Sequence, residues 1–153
     1  MVFWLYVERV LLTLWVGALW AVGYLAAPVL FFDQGDRMLA GMLAGHMFTL
    51  VAYIGLVCGG VLLAGALARG NHIGRGNLRI PALVVMLILV AVGQFVIEPQ
   101  MAALKVGGLV DGTAKMTHFM RLHGIASSLY LLNSLIGLAL VAVGVRPAAR
   151  VRE

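Results

Sequence analysis

Four stretches of this chain contain no Asp, Glu, Lys or Arg: residues 10–32, 38–68, 80–97 and 122–145. A helix crossing the hydrocarbon of a bilayer needs roughly 20 mostly apolar residues. In that solvent only a helix or a closed barrel satisfies every backbone polar group. Bounding residues mark the ends: Glu8-Arg9 before the first stretch, Asp33 to Arg37 after it, Arg69 after the second, Glu98-Pro99 after the third, and Arg146-Pro147 after the fourth. The pattern predicts an all-α integral membrane protein, an antiparallel four-helix bundle forming a single membrane domain over 1–153. Its spans fall at about 10–32, 38–68, 80–97 and 118–145. The first stretch exceeds the roughly 7–15 apolar residues of a secretory signal and lacks a positive leader, so it reads as a retained helix. The second is longer than the hydrocarbon requires, an excess that tilt would absorb. The segment 98–117, with Gly107-Gly108 and Asp111-Gly112, reads as a long loop with a short interfacial helix.

Only 11% of residues are charged and 63% are hydrophobic, against about 25% and 45–50% for soluble domains. That balance excludes an ordinary soluble enzyme, a disordered chain and a nucleic-acid-binding domain. The net charge of +5 therefore points to anionic lipid rather than a polynucleotide. Arg9, Arg69, Arg75, Arg79, Arg146, Arg150 and Arg152 would share one side of the membrane, and Arg37, Lys105, Lys115 and Arg121 the other. The excess favours both termini in the cytoplasm, in an inner membrane if the source is bacterial. The loop holding Arg69, His72, Arg75 and Arg79 is then the expected contact for anionic lipid. The lone Cys58 allows no internal disulfide.

An unpaired polar group in hydrocarbon costs several kcal/mol, so polar side chains are expected to face the bundle interior. Helical spacing gives one such stripe per span. These are Thr13, Gly17, Trp20, Tyr24, Ala27 and Phe31 in the first, and Met42, His46, Thr49 and Tyr53 in the second. The third carries Leu83, Leu87, Val90, Gln94 and Glu98, and the fourth Met116, Phe119, Met120, His123, Ser127, Tyr130 and Ser134. Opposite the second stripe lie Gly41, Ala44, Ala52, Gly55 and Gly59. Gly55 and Gly59 form a GxxxG pair, suited to close packing within the bundle or to a homodimer seam.

Counted from the span ends, Tyr24, His46 and His123 reach similar depth beneath the non-cytoplasmic face, with Gln94, Glu98, His118 and Arg121 approaching from the same side. This is the candidate ligand site. Two imidazoles on different helices could ligate a haem iron. With Met42, Met116 and Met120 they could hold copper, or they could simply hydrogen-bond neighbouring helices. Glu98 and Arg121 could bind a polar headgroup, gate a proton path, or form an interfacial ion pair. No nucleotide-binding, GxSxG, HExxH or CxxC pattern is present.

The first span carries Trp15-Val16-Gly17, Tyr24 and Ala27-Pro28-Val29-Leu30-Phe31. The second carries Ala40-Gly41 and Ala44-Gly45, and the fourth Arg121-Leu122-His123-Gly124 followed by Ser127 and Asn133. Together these resemble the transmembrane protein 205-like family, also described as domain of unknown function 4149, from about Leu11 to Leu138. The resemblance implies a four-helix membrane protein without an established activity. A fainter similarity runs to membrane-embedded haem-dependent protoporphyrinogen oxidases and copper-resistance D-type domains, through the Trp-x-Gly pattern ahead of a Pro-containing helix end. Such oxidases place a histidine in that first helix, and the first span here has none.

The expectation is a small integral membrane protein of unassigned activity, binding a small ligand or metal in a polar pocket near the non-cytoplasmic face. Its alternatives are a haem-dependent membrane redox enzyme and a structural or interaction protein. The expected partners are the bilayer, anionic lipid and a second copy in a homo-oligomer, with no nucleic acid.

Overall fold

The computed structural model describes residues 2–69, 78–106 and 108–144. Four helices long and apolar enough to cross a membrane account for most of them: α1 Phe3–Asp33, α2 Arg37–Ala68, α3 Arg79–Lys105 and α4 Ala114–Val143. No strand occurs among the described residues. His72, Arg75, Arg146, Arg150 and Arg152 lie outside them.

Three helix ends differ from the sequence expectation. α1 starts well before residue 10, so Glu8 and Arg9 belong to the helix. α3 continues through Glu98-Pro99 to Lys105, which takes the first 8 residues of the expected loop into the helix. α4 begins at Ala114, ahead of 118. Both internal prolines are absorbed in the same way. A proline lacks an N–H and its ring clashes with the carbonyl four residues back. The helix widens there into a π-helical segment, Ala21–Ala26 ahead of Pro28 and Gly93–Ile97 ahead of Pro99. The Ala27 N–H reaches Val22 O and the Glu98 N–H reaches Gly93 O, five residues back in each case. Such widened turns let a helix pass a proline.

Short connections set neighbours. Asp36 caps α2, its carboxylate accepting from the backbone N–H of Met38 at 2.8 Å and Leu39 at 3.3 Å. The α3–α4 connection turns at Gly108 and Gly112, both with positive φ. Lys115 Nζ pins it by donating to the carbonyls of Val106 and Gly108.

The helices close into a ring, α1 packing on α2, α2 on α3, α3 on α4 and α4 on α1. Contacts climb one helix as they descend its neighbour: Trp4 covers Gly65, Trp15 covers Gly55 and Gly59, and Phe31 reaches Gly41. The centre is filled by Trp15, Leu19, Leu62, Leu83 and Met86, all at most 2% exposed. The GxxxG face is thereby explained within one chain. A Cβ at Gly55 would overlap the Trp15 indole, and one at Gly59 would lie 2.8 Å from the same ring and 2.7 Å from Leu87. Of the two uses the sequence offers for these glycines, the structure has close packing within the bundle, and α1 occupies the face a homodimer seam would need.

That choice reverses the expected polarity of α2. Its buried residues are Ala40, Ala44, Val51, Gly55, Cys58, Gly59, Leu62 and Ala66. Met42, His46 and Tyr53 are exposed on the opposite face. A tryptophan needs a backbone it can approach, and only the small-residue face of α2 offers one. On α3 the expected face does turn inward, with Leu83 and Val90 buried and Gln94 and Glu98 half-buried. On α4 the stripe changes character along its length: Ser134 is buried and Tyr130 half-buried, whereas Ser127, His123 and Met120 are exposed.

Candidate functional site

Two polar constellations are built into the bundle. The first lies where α1 and α3 begin and α2 ends. Glu8 is 3% exposed, and its two oxygens take Arg79 Nη1 at 2.9 Å and Arg69 Nη2 at 3.4 Å. The guanidinium of Arg69 lies 4.9 Å from the centroid of the Trp4 ring, a cation–π contact. Trp4 is in turn seated on Gly65 of α2. Arg69 follows directly on α2, where a cation is favoured by the carbonyl end of the helix. One carboxylate thus joins three helices and takes a guanidinium on each of its oxygens.

The sequence pattern points to no cluster at this end, because Glu8 stands there as the boundary of the first apolar stretch. The signal was present. Glu8, Leu12, Trp15 and Leu19 follow helical steps of four and three, and all four are buried. The inner stripe expected on α1 is offset from this face: Thr13, Gly17, Trp20, Tyr24 and Phe31 are exposed and only Ala27 is buried, because Trp15 turns toward α2, so that stripe does not lead back to Glu8.

The second constellation ties α1 to α4 deeper in the membrane. Tyr130 OH donates to Leu19 O at 2.7 Å, beside the start of the π-helical segment of α1. Its ring lies against Gly23, where a Cβ would overlap it, and meets Phe48 of α2 edge-on at 5.1 Å. Ser134, fully buried, donates to Leu131 O at 2.8 Å. A hydroxyl has one proton to give, so Tyr24 OH, 2.7 Å away, is the donor to Ser134 Oγ. Trp20 Nε1 adds a longer bond to Ser134 O. The seam is directional and internally satisfied, whereas the neighbouring Asn133 Oδ1 and the Trp15 Nε1 are buried with no hydrogen-bond partner among the described residues. Removing one bond of the seam should cost little, since single interhelical bonds in membranes average about 0.6 kcal/mol. Tyr24→Phe is expected to lower the unfolding midpoint in detergent by no more than about 3 °C. Ser134→Leu, which forces a larger side chain into a fully buried position, should cost clearly more.

The residues expected to share a ligand pocket are distributed differently. Tyr24 faces Ser134, and Gln94 and Glu98 lie half-buried on the inner side of α3. His46 and His123 are both exposed, on helices that lie diagonally across the ring. His123 stacks on Phe119 at 6.1 Å, and Lys105 Nζ sits 5.8 Å from the same Phe119 ring. His118 and Arg121 line a shallow, open depression with Ala114 and Thr117 at the start of α4. No ion pair joins Glu98 to Arg121. Among the described residues no group of three or more His, Cys, Asp and Glu is placed to hold a metal ion. The polar groups the helices do gather, Glu8 with its arginines and the Tyr24–Ser134–Tyr130 seam, bind helices to one another.

Neither a curated protein nor a solved structure matches this chain. A family model does: the one described as Domain of unknown function (DUF4149) covers residues 10–109, from the start of the filled core in α1 to the turn before α4. With its four apolar helices and that match, the chain is an integral membrane protein and belongs to the DUF4149 family.

Proposed function

We propose that the chain is a non-catalytic interaction protein of the membrane, which assembles with a second copy through the outward stripe of α2. One observation carries this reading. Tyr53 sits at the midpoint of the helix Arg37–Ala68, is 50% exposed, and makes no hydrogen bond to another described residue. At about 1.5 Å per residue α2 is roughly 48 Å long, against a hydrocarbon thickness of roughly 30 Å. A span centred in the bilayer therefore holds the Tyr53 hydroxyl near the midplane, with Thr49 and His46 on the same face above it.

Polar side chains at that depth normally find a partner, and the interior of this bundle supplies none on that face. The chemistry of the stripe favours a second copy. A two-fold axis along the membrane normal sets each residue near its own mate, where like charges would repel. Imidazole, threonine hydroxyl and phenol each donate and accept, so His46, Thr49 and Tyr53 can all pair with themselves.

Cysteine cross-linking tests the reading. In a Cys58→Ala background, Tyr53→Cys and Thr49→Cys should give disulfide-linked dimers when native membranes are mildly oxidised. Ile88→Cys, exposed on α3, should remain monomeric. Tyr53→Leu with His46→Leu should weaken association by about 8- to 300-fold, from two lost bonds of roughly 0.6–1.7 kcal/mol each. Equal cross-linking at all three positions, or none at any, would remove the proposal.

A further inference from the structure

On the outward face of α4, at the end of the bundle opposite Glu8, we infer that Arg121 and His118 form a binding site for a phosphate group, supplied by an anionic lipid headgroup. The two side chains line an open depression with Ala114 and Thr117. Residues three, four and seven apart share one side of a helix, so the depression is a single face over two turns. Neither Arg121 nor His118 has an ion pair or a hydrogen bond with another described residue. α4 carries no Asp or Glu, and neither Asp33 of α1 nor Glu98 of α3 pairs with them. The Thr117 hydroxyl already donates to Thr113 O. The donors left free are the N–H groups of the guanidinium and an imidazole N–H. A planar guanidinium fork that no carboxylate occupies matches the oxygens of a phosphate.

Depth supplies the source of that phosphate. The 30 residues of α4, Ala114–Val143, extend roughly 45 Å at about 1.5 Å per residue, against a hydrocarbon thickness of roughly 30 Å. A centred helix enters the hydrocarbon about five residues from its start, beside His118. Arg121 then stands less than a turn below the boundary. Its side chain leans toward the start of the helix, and a long basic side chain reaches back to the interface. Both tendencies carry the guanidinium toward His118, at headgroup level. Deeper on the same face, Ile125, Leu132 and Val143 are all exposed, which continues the depression as an apolar track along α4. A phospholipid fits cations and track together, its phosphate at Arg121 and an acyl chain along Ile125 and Leu132. A free ion would use the upper part alone.

The site shares no residue with the α2 stripe, so either reading can fail alone. The test uses the whole chain in mild non-ionic detergent, with phosphatidylglycerol, phosphatidylcholine and inorganic phosphate as separate probes. Native mass spectrometry and thermal unfolding provide the readouts. Phosphatidylglycerol should be retained about fivefold or more over phosphatidylcholine and should raise the unfolding midpoint. Arg121→Gln with His118→Gln should reduce that preference to about twofold or less. The lipid-free midpoint should stay where it was, because both side chains are exposed and support no other helix. Arg37→Gln, which removes an exposed cation at the same end of the bundle, should leave the preference intact. Protection by millimolar inorganic phosphate without a lipid preference would keep the phosphate site and overturn its lipid source. No lipid preference and no phosphate effect in the unaltered chain, or a preference that survives the double variant or falls equally with Arg37→Gln, would overturn the site.

Discussion

Gly55→Leu should fail to give a folded, monodisperse bundle in mild detergent, whereas Gly60→Leu, five positions along the same helix, should behave as the unaltered chain does. The difference lies in what each glycine faces. Gly55 is buried beneath the Trp15 indole, and even a single added carbon would overlap that ring. Trp15 has no room to yield, being fully buried among Leu12, Leu19, Cys58 and Leu62. Gly60 is exposed and has no heavy atom within 4 Å of the place a Cβ would take. Over-packing a close-packed core commonly costs about 1–3 kcal/mol. A leucine carries three further carbons into the space the indole holds, so the helices α1 and α2 must separate. In lipid no hydrophobic force drives them back, because association there depends on close contact itself. Size-exclusion profile and unfolding midpoint provide the measurement. Trp15→Ala on the Gly55→Leu background should restore part of the loss, since the added leucine then occupies space the indole vacated. Their non-additivity is the signature of direct contact.

The same contact shows why some of the architecture could be read from sequence and some could not. Span number and approximate position follow from charge-free length, because hydrocarbon admits few alternatives, and all four spans appear in place. Span ends depended on charge and proline as stop signals. Pro99 did not end α3 because a π-helical turn accommodates it, and Glu8 did not precede α1 because two arginines from other helices neutralise it. Those partners lie 61 and 71 positions away along the chain, beyond the reach of local pattern.

The orientation of α2 departs from the expected one for a related reason. The rule that polar groups face inward competes with the need for tight packing, and Trp15 against Gly55 and Gly59 decided the competition. His46 and Tyr53 then faced outward by geometry. On α4 the polar face turns inward as expected at Ser134, where Tyr24 and Trp20 of α1 offer hydrogen-bond partners, and outward at Ser127 and His123.

Glu8→Gln should destabilise the bundle by about 2–4 kcal/mol, a large effect for a change that preserves shape. Breaking a buried ion pair typically costs about 3–5 kcal/mol, because the remaining charge is left without its partner. Here two cations lose the same carboxylate, which raises the cost, while their one-third exposure lets water recover part of it. The neutral amide still fits between α1, α2 and α3, and it can still accept from one guanidinium, but it no longer offsets the repulsion between Arg69 and Arg79. A stability loss of this size should lower the unfolding midpoint by roughly 5–15 °C. Buried ion clusters are often replaceable by apolar side chains at little net cost. The triple change Glu8→Leu, Arg69→Leu and Arg79→Leu should therefore be more stable than Glu8→Gln alone, although it removes three charges rather than one. A triple variant less stable than Glu8→Gln would mean that the cluster does more than satisfy the buried carboxylate, and that the end of the bundle requires its charges to hold its place in the membrane.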